Sequence, residues 1–170
     1  MSMLAASTDD SVWLAFVLEG QHYAVPLPAV REVIRLGDVT PVPGAPDEVM
    51  GVVNLRGQIV SVLDGRRRFG LVAIDTGHDD ERIMVIEHGE ETIGMRIDAV
   101  GDMLVADPAD IAAPPPGRAS RRGDPVSGII PRAEGFVALV DIDRLCRLEG
   151  LPPVPARILH GSDRPTGAVP

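Results

Sequence analysis

The sequence predicts an all-β protein formed by internal duplication, with two lobes and only short helices. Three observations lead to this prediction. Of the 170 residues, 45% are hydrophobic but only 3% aromatic, so the core must be formed by Val, Ile, Leu, Ala and Met, and the β-branched residues among these favour strands. The 18 Gly and 16 Pro are typical of a chain with many turns. The two halves of the chain also repeat each other.

The repeat is visible at two offsets. A shift of 70 positions places Tyr23 on Ile93, and a shift of 77 places Gly51 on Gly128. Each copy is small for an independent domain, so we expect two lobes that share an interface, each with four or five strands that close or form a sandwich. Further aligned pairs are Val30 with Val100, Val33 with Met103, Ile34 with Leu104, Ile59 with Phe136 and Asp64 with Asp141.

The first copy is predicted to form a lobe over residues 12–70. Pro41, Pro43 and Pro46 indicate an extended connector in its middle. Val30, Val33 and Ile34 are spaced i, i+3, i+4, which fits either a helical turn or a strand. Apolar runs predict strands at Val12–Leu18, Tyr23–Leu27, Val49–Val53 and Ile59–Leu63.

The second copy is predicted to form a lobe over residues 82–149. It contains a long Pro- and Arg-rich loop at 106–125, which we expect to be mobile, and it ends in a short amphipathic helix, Asp141–Leu148. Residues 1–11 and 150–170 are predicted to be a disordered N-terminus and a Pro-rich tail. Strands are predicted at Arg82–Glu87, Thr92–Ile97, Val126–Ile130 and Phe136–Val140.

Composition excludes several functions. A net charge of −9 argues against nucleic-acid binding, because phosphate contacts need a basic surface. A single cysteine, Cys146, excludes an internal disulfide. The chain has neither a signal-peptide pattern nor an apolar run of about 20 residues, so we expect a soluble cytoplasmic protein without membrane insertion.

Motifs for catalysis or cofactor binding are absent from the sequence, which predicts neither a cofactor nor a metal. The four histidines show no ligand spacing, and His78-Asp79-Asp80 is interpreted as a solvated acidic loop. Cys146 is interpreted as a structural thiol. A small β-barrel enzyme that uses Asp64, His78 or Asp79 is the alternative from another class of function.

The tetrapeptide Asn54-Leu55-Arg56-Gly57 lies between two predicted strands. Asn54 and Gly57 are explained by a tight turn, since both residue types tolerate positive φ. Arg56 is not explained in this way. The second copy has Pro131-Arg132-Ala133-Glu134 at the same place, so the shared fold does not require the first tetrapeptide. A binding role for it is therefore favoured.

The sequence resembles CheW-type domains over about Val12 to Leu148. The resemblance is carried by FVLEGQHYAVPLPAVREVI, GVVNLRGQIVSVLD, IGMRIDAVGDML and VSGIIPRAEGFVALVDIDRLCRL. It implies two five-stranded β-barrel subdomains around a continuous core and no enzymatic activity. It also implies an adaptor that couples the cytoplasmic tips of methyl-accepting chemoreceptors to the histidine kinase CheA, by pairing with the kinase's CheW-like regulatory domain.

The same resemblance implies where partners bind. Receptor or kinase contact is expected at Asn54, Leu55, Arg56 and Gly57, and at Val30, Glu32 and Val33 in the preceding segment. It also implies recruitment to receptor arrays at the inner face of the membrane. A scaffold of a specialised non-flagellar chemosensory pathway, or of another signalling complex, is the alternative among binding proteins.

Overall fold

A computed structural model describes residues 12–71, 80–114, 123–133 and 135–147. The predictions for residues 1–11, for the tail at 150–170 and for His78 and Asp79 lie outside the described residues, as do residues 115–122 of the 106–125 loop.

The described residues form ten strands and two short α-helices, with 3₁₀ turns at Leu27–Ala29 and Pro108–Asp110. All eight predicted strands are present, and the predicted C-terminal helix is shorter than expected. The strands are β1 (Val12–Leu18), β2 (Gln21–Pro26), β3 (Val30–Arg35), β4 (Val49–Leu55), β5 (Gln58–Asp64), β6 (Arg82–His88), β7 (Glu91–Ile97), β8 (Ala99–Val105), β9 (Val126–Arg132) and β10 (Gly135–Val140). The helices are α1 (Gly65–Arg68) and α2 (Ile142–Cys146).

The strands form two five-stranded sheets, which confirms the β class and the strand count. The first sheet has the order β8-β1-β2-β10-β9, and the second has the order β3-β6-β7-β5-β4. Among the described strands neither sheet closes into a barrel, since the outermost strands of each order do not pair with each other. In each sheet, one isolated bridge joins the segment after one edge strand to the other edge strand. Thr40, after β3, pairs with Val52 of β4, and Ala112, after β8, pairs with Ile129 of β9. Barrel closure therefore stays a prediction.

Each sheet contains strands from both sequence copies. Hairpin β1–β2 of the first copy lies beside β8, β9 and β10 of the second, and hairpin β6–β7 of the second copy lies beside β3, β4 and β5 of the first. The parallel pairs β2–β10 and β5–β7 join the copies. Residues 70–82 therefore separate the two copies of the sequence but do not separate the two sheets.

The central strands bury both of their faces, which explains their continuous apolar runs. In β6, Met84 and Ile86 face a central core shared by the two sheets, whereas Ile83 and Val85 face a smaller cluster inside the second sheet. The first sheet has its own inner cluster, which contains Leu139. Side chains alternate between these clusters with the period of two that strand geometry imposes.

The central core contains a cluster of three aromatic rings. The rings of Phe16 and Tyr23 are stacked with centroids 5.5 Å apart, and the Phe69 ring lies 4.7 Å from that of Tyr23. All three residues are at most 2% exposed. Phe69 follows α1, at the end of the β4–β5 unit of the second sheet, so its ring fixes that unit against the first sheet.

A β-bulge explains the spacing of Val30 and Val33. Val30 lies opposite Ile86, but Glu32 lies opposite Val85, so Arg31 is an extra residue in β3. The bulge shifts the alternation by one and places Val30 and Val33 at the margin of the same central core. The sequence allowed a helical turn or a strand for this segment, and the structure has the strand. The register between β1 and β8 shifts at the equivalent place, between Leu14 and Phe16.

An ion pair holds one of the crossings between the sheets. Asp98 lies between β7 of the second sheet and β8 of the first, and its carboxylate accepts hydrogen bonds from the Arg66 side chain, at 2.5 Å from Nη2, and from the Glu19 backbone N–H at 2.7 Å. Burial alone would raise the pKa of Asp98, but these hydrogen bonds and the nearby arginine charges outweigh it and lower the pKa. The hydrogen bond to Asp98 in turn raises the pKa of Arg66, against the effect of burial.

A buried arginine connects the two helices. The Arg68 guanidinium donates hydrogen bonds to the backbone carbonyls of Leu145, Arg144 and Gly123, at 3.2, 2.7 and 2.9 Å. Two of these carbonyls belong to the last turn of α2, where helical acceptors lack partners within the helix. Arg68 thereby ties α1 of the first copy to α2 of the second.

Gly51 is required where the segment that contains Thr40 passes close to the edge strand β4. Its φ is +151°, and a Cβ atom at this position would lie 2.1 Å from the Thr40 carbonyl oxygen. Gly128 is also closely approached in the first sheet, where a Cβ atom would lie 2.8 Å from Ile111 Cγ2 and 3.1 Å from the Ala112 carbonyl oxygen. The repeated glycine therefore allows close approach of two backbone segments.

We expect Gly51→Ala to lower the free energy of unfolding by about 2–4 kcal/mol, because it combines a backbone clash with a disfavoured φ. Urea denaturation followed by circular dichroism measures this. The control is Gly37→Ala, since Gly37 has open space around it, and it should change stability by less than about 0.5 kcal/mol. Equal effects of the two substitutions would contradict the role given to Gly51.

Candidate partner-binding surface

The β4–β5 hairpin ends in a two-residue turn formed by Arg56 and Gly57. Leu55 pairs with Gln58, and the φ angles of +52° at Arg56 and +87° at Gly57 are those of a type I′ turn, which matches strand twist. The Asn54 side-chain oxygen accepts a hydrogen bond from the Gly57 N–H at 2.8 Å. Asn54 and Gly57 therefore shape the turn and hold Arg56 at its tip.

Arg56 itself is an unfavourable choice for this turn. Positive φ suits Gly and Asn, and another residue in the left-handed region costs roughly 1–2 kcal/mol. The Arg56 side chain is also 64% exposed, so packing does not compensate for the strain. An exposed, strained residue at a rigid tip indicates a role outside the fold.

The Arg56 guanidinium forms a two-pronged ion pair with Glu32. Nη1 lies 2.9 Å from Oε2, and Nη2 lies 2.7 Å from Oε1. Glu32 belongs to β3 and Arg56 to the β4–β5 turn, and β3 and β4 are the two edge strands of the second sheet. The ion pair therefore bridges the two edges of this sheet. We call Glu32, Asn54, Arg56 and Gly57 the hairpin clamp.

The other predicted site residues lie on either side of the clamp. Leu55 is partly buried against the inner cluster of the second sheet. Val30 and Val33 are partly buried at the margin of the central core, on the opposite face of the sheet. The structure thus brings Glu32 and Arg56 into contact, and it leaves Val30 and Val33 partly exposed on the same strand as Glu32.

Three exposed apolar residues lie on β8 and were not among the predicted site residues. Val100 is 42% exposed, Met103 64% and Val105 76%. Met103 lies opposite Leu14 of β1, which packs at the margin of the central core, as do Val30 and Val33. The 70-residue shift already pairs Val100 with Val30 and Met103 with Val33, so the repeat contained a signal for them. We call Leu14, Val30, Val33, Val100 and Met103 the apolar margin.

The described residues of the first sheet contain no equivalent of the clamp. Ala133 stands at the position of Arg56, and Asp102 at that of Glu32. Ala133 has no side chain that can pair with a carboxylate, so the two ends of the molecule differ in chemistry although their strands correspond. The clamp therefore belongs to the second sheet, and a sheet with this strand order can form without it.

Asp64 and Cys146 have structural roles. The Asp64 carboxylate caps α1 and accepts a hydrogen bond from the Arg66 N–H at 3.0 Å. Burial, followed by the charges of Glu91 and Asp143, raises the pKa of Cys146 to about 11, so its thiol is protonated at neutral pH and a poor nucleophile. Within the described ranges no three His, Cys, Asp or Glu side chains are grouped to hold a metal ion.

No helix in the described part of the chain is long and apolar enough to span a bilayer.

The chain is thus a two-sheet β-protein with a charged hairpin tip that is paired with β3 and with exposed apolar residues on β8. It belongs to the CheW-like domain family, whose model matches residues 13–149.

Relatives and a solved structure agree with this assignment. The chain is 28% identical to the chemotaxis protein CheW of Klebsiella aerogenes, over 88% of this chain and 89% of the relative. It is 30% identical to the chemotaxis protein CheW of Rhizobium meliloti, over 76% of this chain and 83% of the relative. The crystal structure of the scaffolding protein TtCheW from Thermoanaerobacter tengcongensis has 27% identity and a TM-score of 0.73, covering 83% of this chain and 95% of that one.

We expect Arg56→Gly to leave the free energy of unfolding within about 0.5 kcal/mol of wild type, because relief of the positive φ offsets loss of an exposed ion pair. Arg56→Ala loses the same ion pair but keeps the strained φ, and should be less stable than Arg56→Gly by about 1 kcal/mol. Chemical denaturation of the three proteins measures both differences. A large loss of stability in Arg56→Gly would mean that the clamp is a requirement of the fold.

Proposed function

We propose that this chain is a non-catalytic adaptor that couples methyl-accepting chemoreceptors to a CheA-type histidine kinase in chemosensory signalling. Membership of the CheW-like family, and the names of relatives described as chemotaxis proteins and as a scaffolding protein, support this proposal. Asp64, the one candidate catalytic residue that the described ranges include, caps a helix.

One observation carries the assignment of the site. Arg56 occupies a left-handed turn position at the tip of a hairpin, exposed and pre-oriented by Glu32. An arginine fork held in one orientation loses little conformational entropy when it donates to a partner's carboxylate or carbonyl. The strain at Arg56 is then explained by binding.

The apolar margin suggests how a receptor docks. A receptor tip is a helical hairpin, and an amphipathic helix binds by laying its apolar face along an apolar surface. Val100 and Met103 are exposed on the β8 side, and Val30 and Val33 are partly exposed on β3. We infer that this margin takes the helix and that the clamp, which includes Glu32 on β3, anchors it at one end.

The kinase contact is inferred to involve pairing with the kinase's own CheW-like regulatory domain. The two sheets differ in their described residues, since the clamp lies at the hairpin tip of the second sheet and the corresponding hairpin of the first sheet lacks it. An adaptor needs separate surfaces for two partners, and ends of different chemistry provide them. Individual contacts of this kind are expected to be modest in affinity, with assembly strengthened by multivalency. Recruitment to the inner face of the membrane would follow from receptor binding.

The test is a reconstituted kinase assay. Receptor-containing membranes and the CheA-type kinase of the same organism are mixed with wild-type chain, Arg56→Gly or the control Arg35→Ala, and kinase autophosphorylation is followed. Arg35 is an exposed arginine at the far end of β3, so the control removes an equal charge from the same sheet, away from the hairpin tip. We expect activation by wild type and by Arg35→Ala, and at least a fivefold loss with Arg56→Gly, equivalent to about 1 kcal/mol of coupling.

Two other results would change the conclusion. Equal activation by Arg56→Gly and wild type would contradict the binding role of the clamp. If wild type binds the kinase but changes its activity neither with nor without receptor, the chain is a scaffold of another signalling complex and the receptor assignment is wrong.

A further inference from the structure

A second polar contact joins the hairpin tip to β3, next to the clamp. Nη1 of Arg31 lies 3.3 Å from the Gln58 side-chain oxygen and 3.4 Å from Oε2 of Glu87. Gln58 is the first residue after the Arg56-Gly57 turn. Two consecutive residues of β3 therefore hold the hairpin tip: Glu32 binds Arg56 in the turn, and Arg31 binds Gln58 just after it.

The bulge in β3 makes this double contact possible. Arg31 is the extra residue of the bulge, and a bulge redirects the side chains beside it. In a regular strand, neighbouring side chains point to opposite faces of the sheet. Here the side chains of both Arg31 and Glu32 reach the same hairpin, through Gln58 and Arg56 respectively.

The fold does not require the second contact. The first sheet has a bulge at the equivalent place, yet Gly101 stands at the position of Arg31 and Gly135 at that of Gln58. The first sheet therefore forms the equivalent strand order without either residue of this contact.

Stability does not explain the second contact either. The side chains of Arg31 and Glu87 are 41% and 51% exposed, and exposed ion pairs contribute little to the free energy of unfolding. The contact from Glu32 holds the Arg56 side chain itself, and the contact from Arg31 holds the hairpin two residues further on, through the Gln58 side chain. Together they limit how far Arg56 can turn, while its Nε donates no hydrogen bond among the contacts of the described residues.

We propose that Arg31, acting through Gln58 and Glu87, is a positioning residue that fixes the Arg56 guanidinium for a hydrogen-bond acceptor on the partner. The acceptor is a carboxylate or a backbone carbonyl, the groups that match an arginine fork. This inference rests on the proposed function, because it assumes that Arg56 contacts a partner. It adds Arg31, Gln58 and Glu87 to the surface.

The first test uses no partner. The Nε–H resonance of Arg56 and the backbone relaxation of Arg56 and Gly57 are recorded by NMR in wild type, Arg31→Ala, Gln58→Ala and the control Arg35→Ala. We expect greater mobility of the Arg56 Nε–H group and of the turn in Arg31→Ala and in Gln58→Ala only. Melting temperatures should stay within about 2 °C of wild type, as expected for exposed contacts. An unchanged turn in both variants would overturn the inference whether or not the proposed function is right.

The second test measures affinity for a purified cytoplasmic fragment of a chemoreceptor from the same organism. We expect Arg31→Ala and Gln58→Ala each to weaken binding about threefold to tenfold, which is typical of lost pre-organisation. The double variant Arg31→Ala/Arg56→Gly should bind no more weakly than Arg56→Gly alone, since a positioning residue has no effect once its target is gone. Arg35→Ala should bind like wild type.

The variants separate positioning from direct contact. Gln58→Ala keeps the charge of Arg31 but removes its acceptor on the hairpin. If Arg31→Ala weakens binding and Gln58→Ala does not, or if the effects of Arg31→Ala and Arg56→Gly add, Arg31 touches the partner itself and the positioning role is wrong. If Arg56→Gly also binds like wild type, the proposed function fails at this surface.

Discussion

The structure depends on the central core that the two sheets share. Phe16, Tyr23 and Phe69 stand at its centre, and the strands around it bury one face there and the other inside their own sheet. A copy of the repeat with its own hairpin would leave the shared face exposed to water. Exchange of hairpins β1–β2 and β6–β7 between the copies covers that face, because each copy then contributes strands to both sides of the core.

The same exchange determines where the clamp lies. It places β3 and β4 at opposite edges of the second sheet, so the tip of the β4–β5 hairpin can reach back to β3 only through side chains as long as those of Arg56 and Glu32. Gly51 supports this arrangement from the other end of β4, where Thr40 passes close to the backbone. The clamp is thus a local addition to a frame that is complete without it, as the clamp-free first sheet demonstrates.

Much of the fold could be predicted from the sequence, because double burial produces continuous apolar runs and the duplication repeats them. The exchange of hairpins could not be predicted, since the offsets of 70 and 77 show which segments correspond but not which strands pair. The bulge at Arg31 gave β3 a helix-like spacing. For the site, comparison of the copies identified Arg56, and the family resemblance supplied Glu32. The contact between Arg31 and Gln58 remained invisible because exposed pairs distant in sequence leave no periodic signal.

We propose that the hairpin clamp and the apolar margin face the partner, while the corresponding hairpin of the first sheet does not face the same partner. Amide hydrogen exchange of the chain, free and saturated with a chemoreceptor cytoplasmic fragment, tests this most directly. We expect slower exchange in the bound chain at residues 30–35, 54–58 and 99–105, and no change at residues 128–133. Slower exchange confined to residues 128–133, with residues 30–35 and 54–58 unchanged, would contradict it.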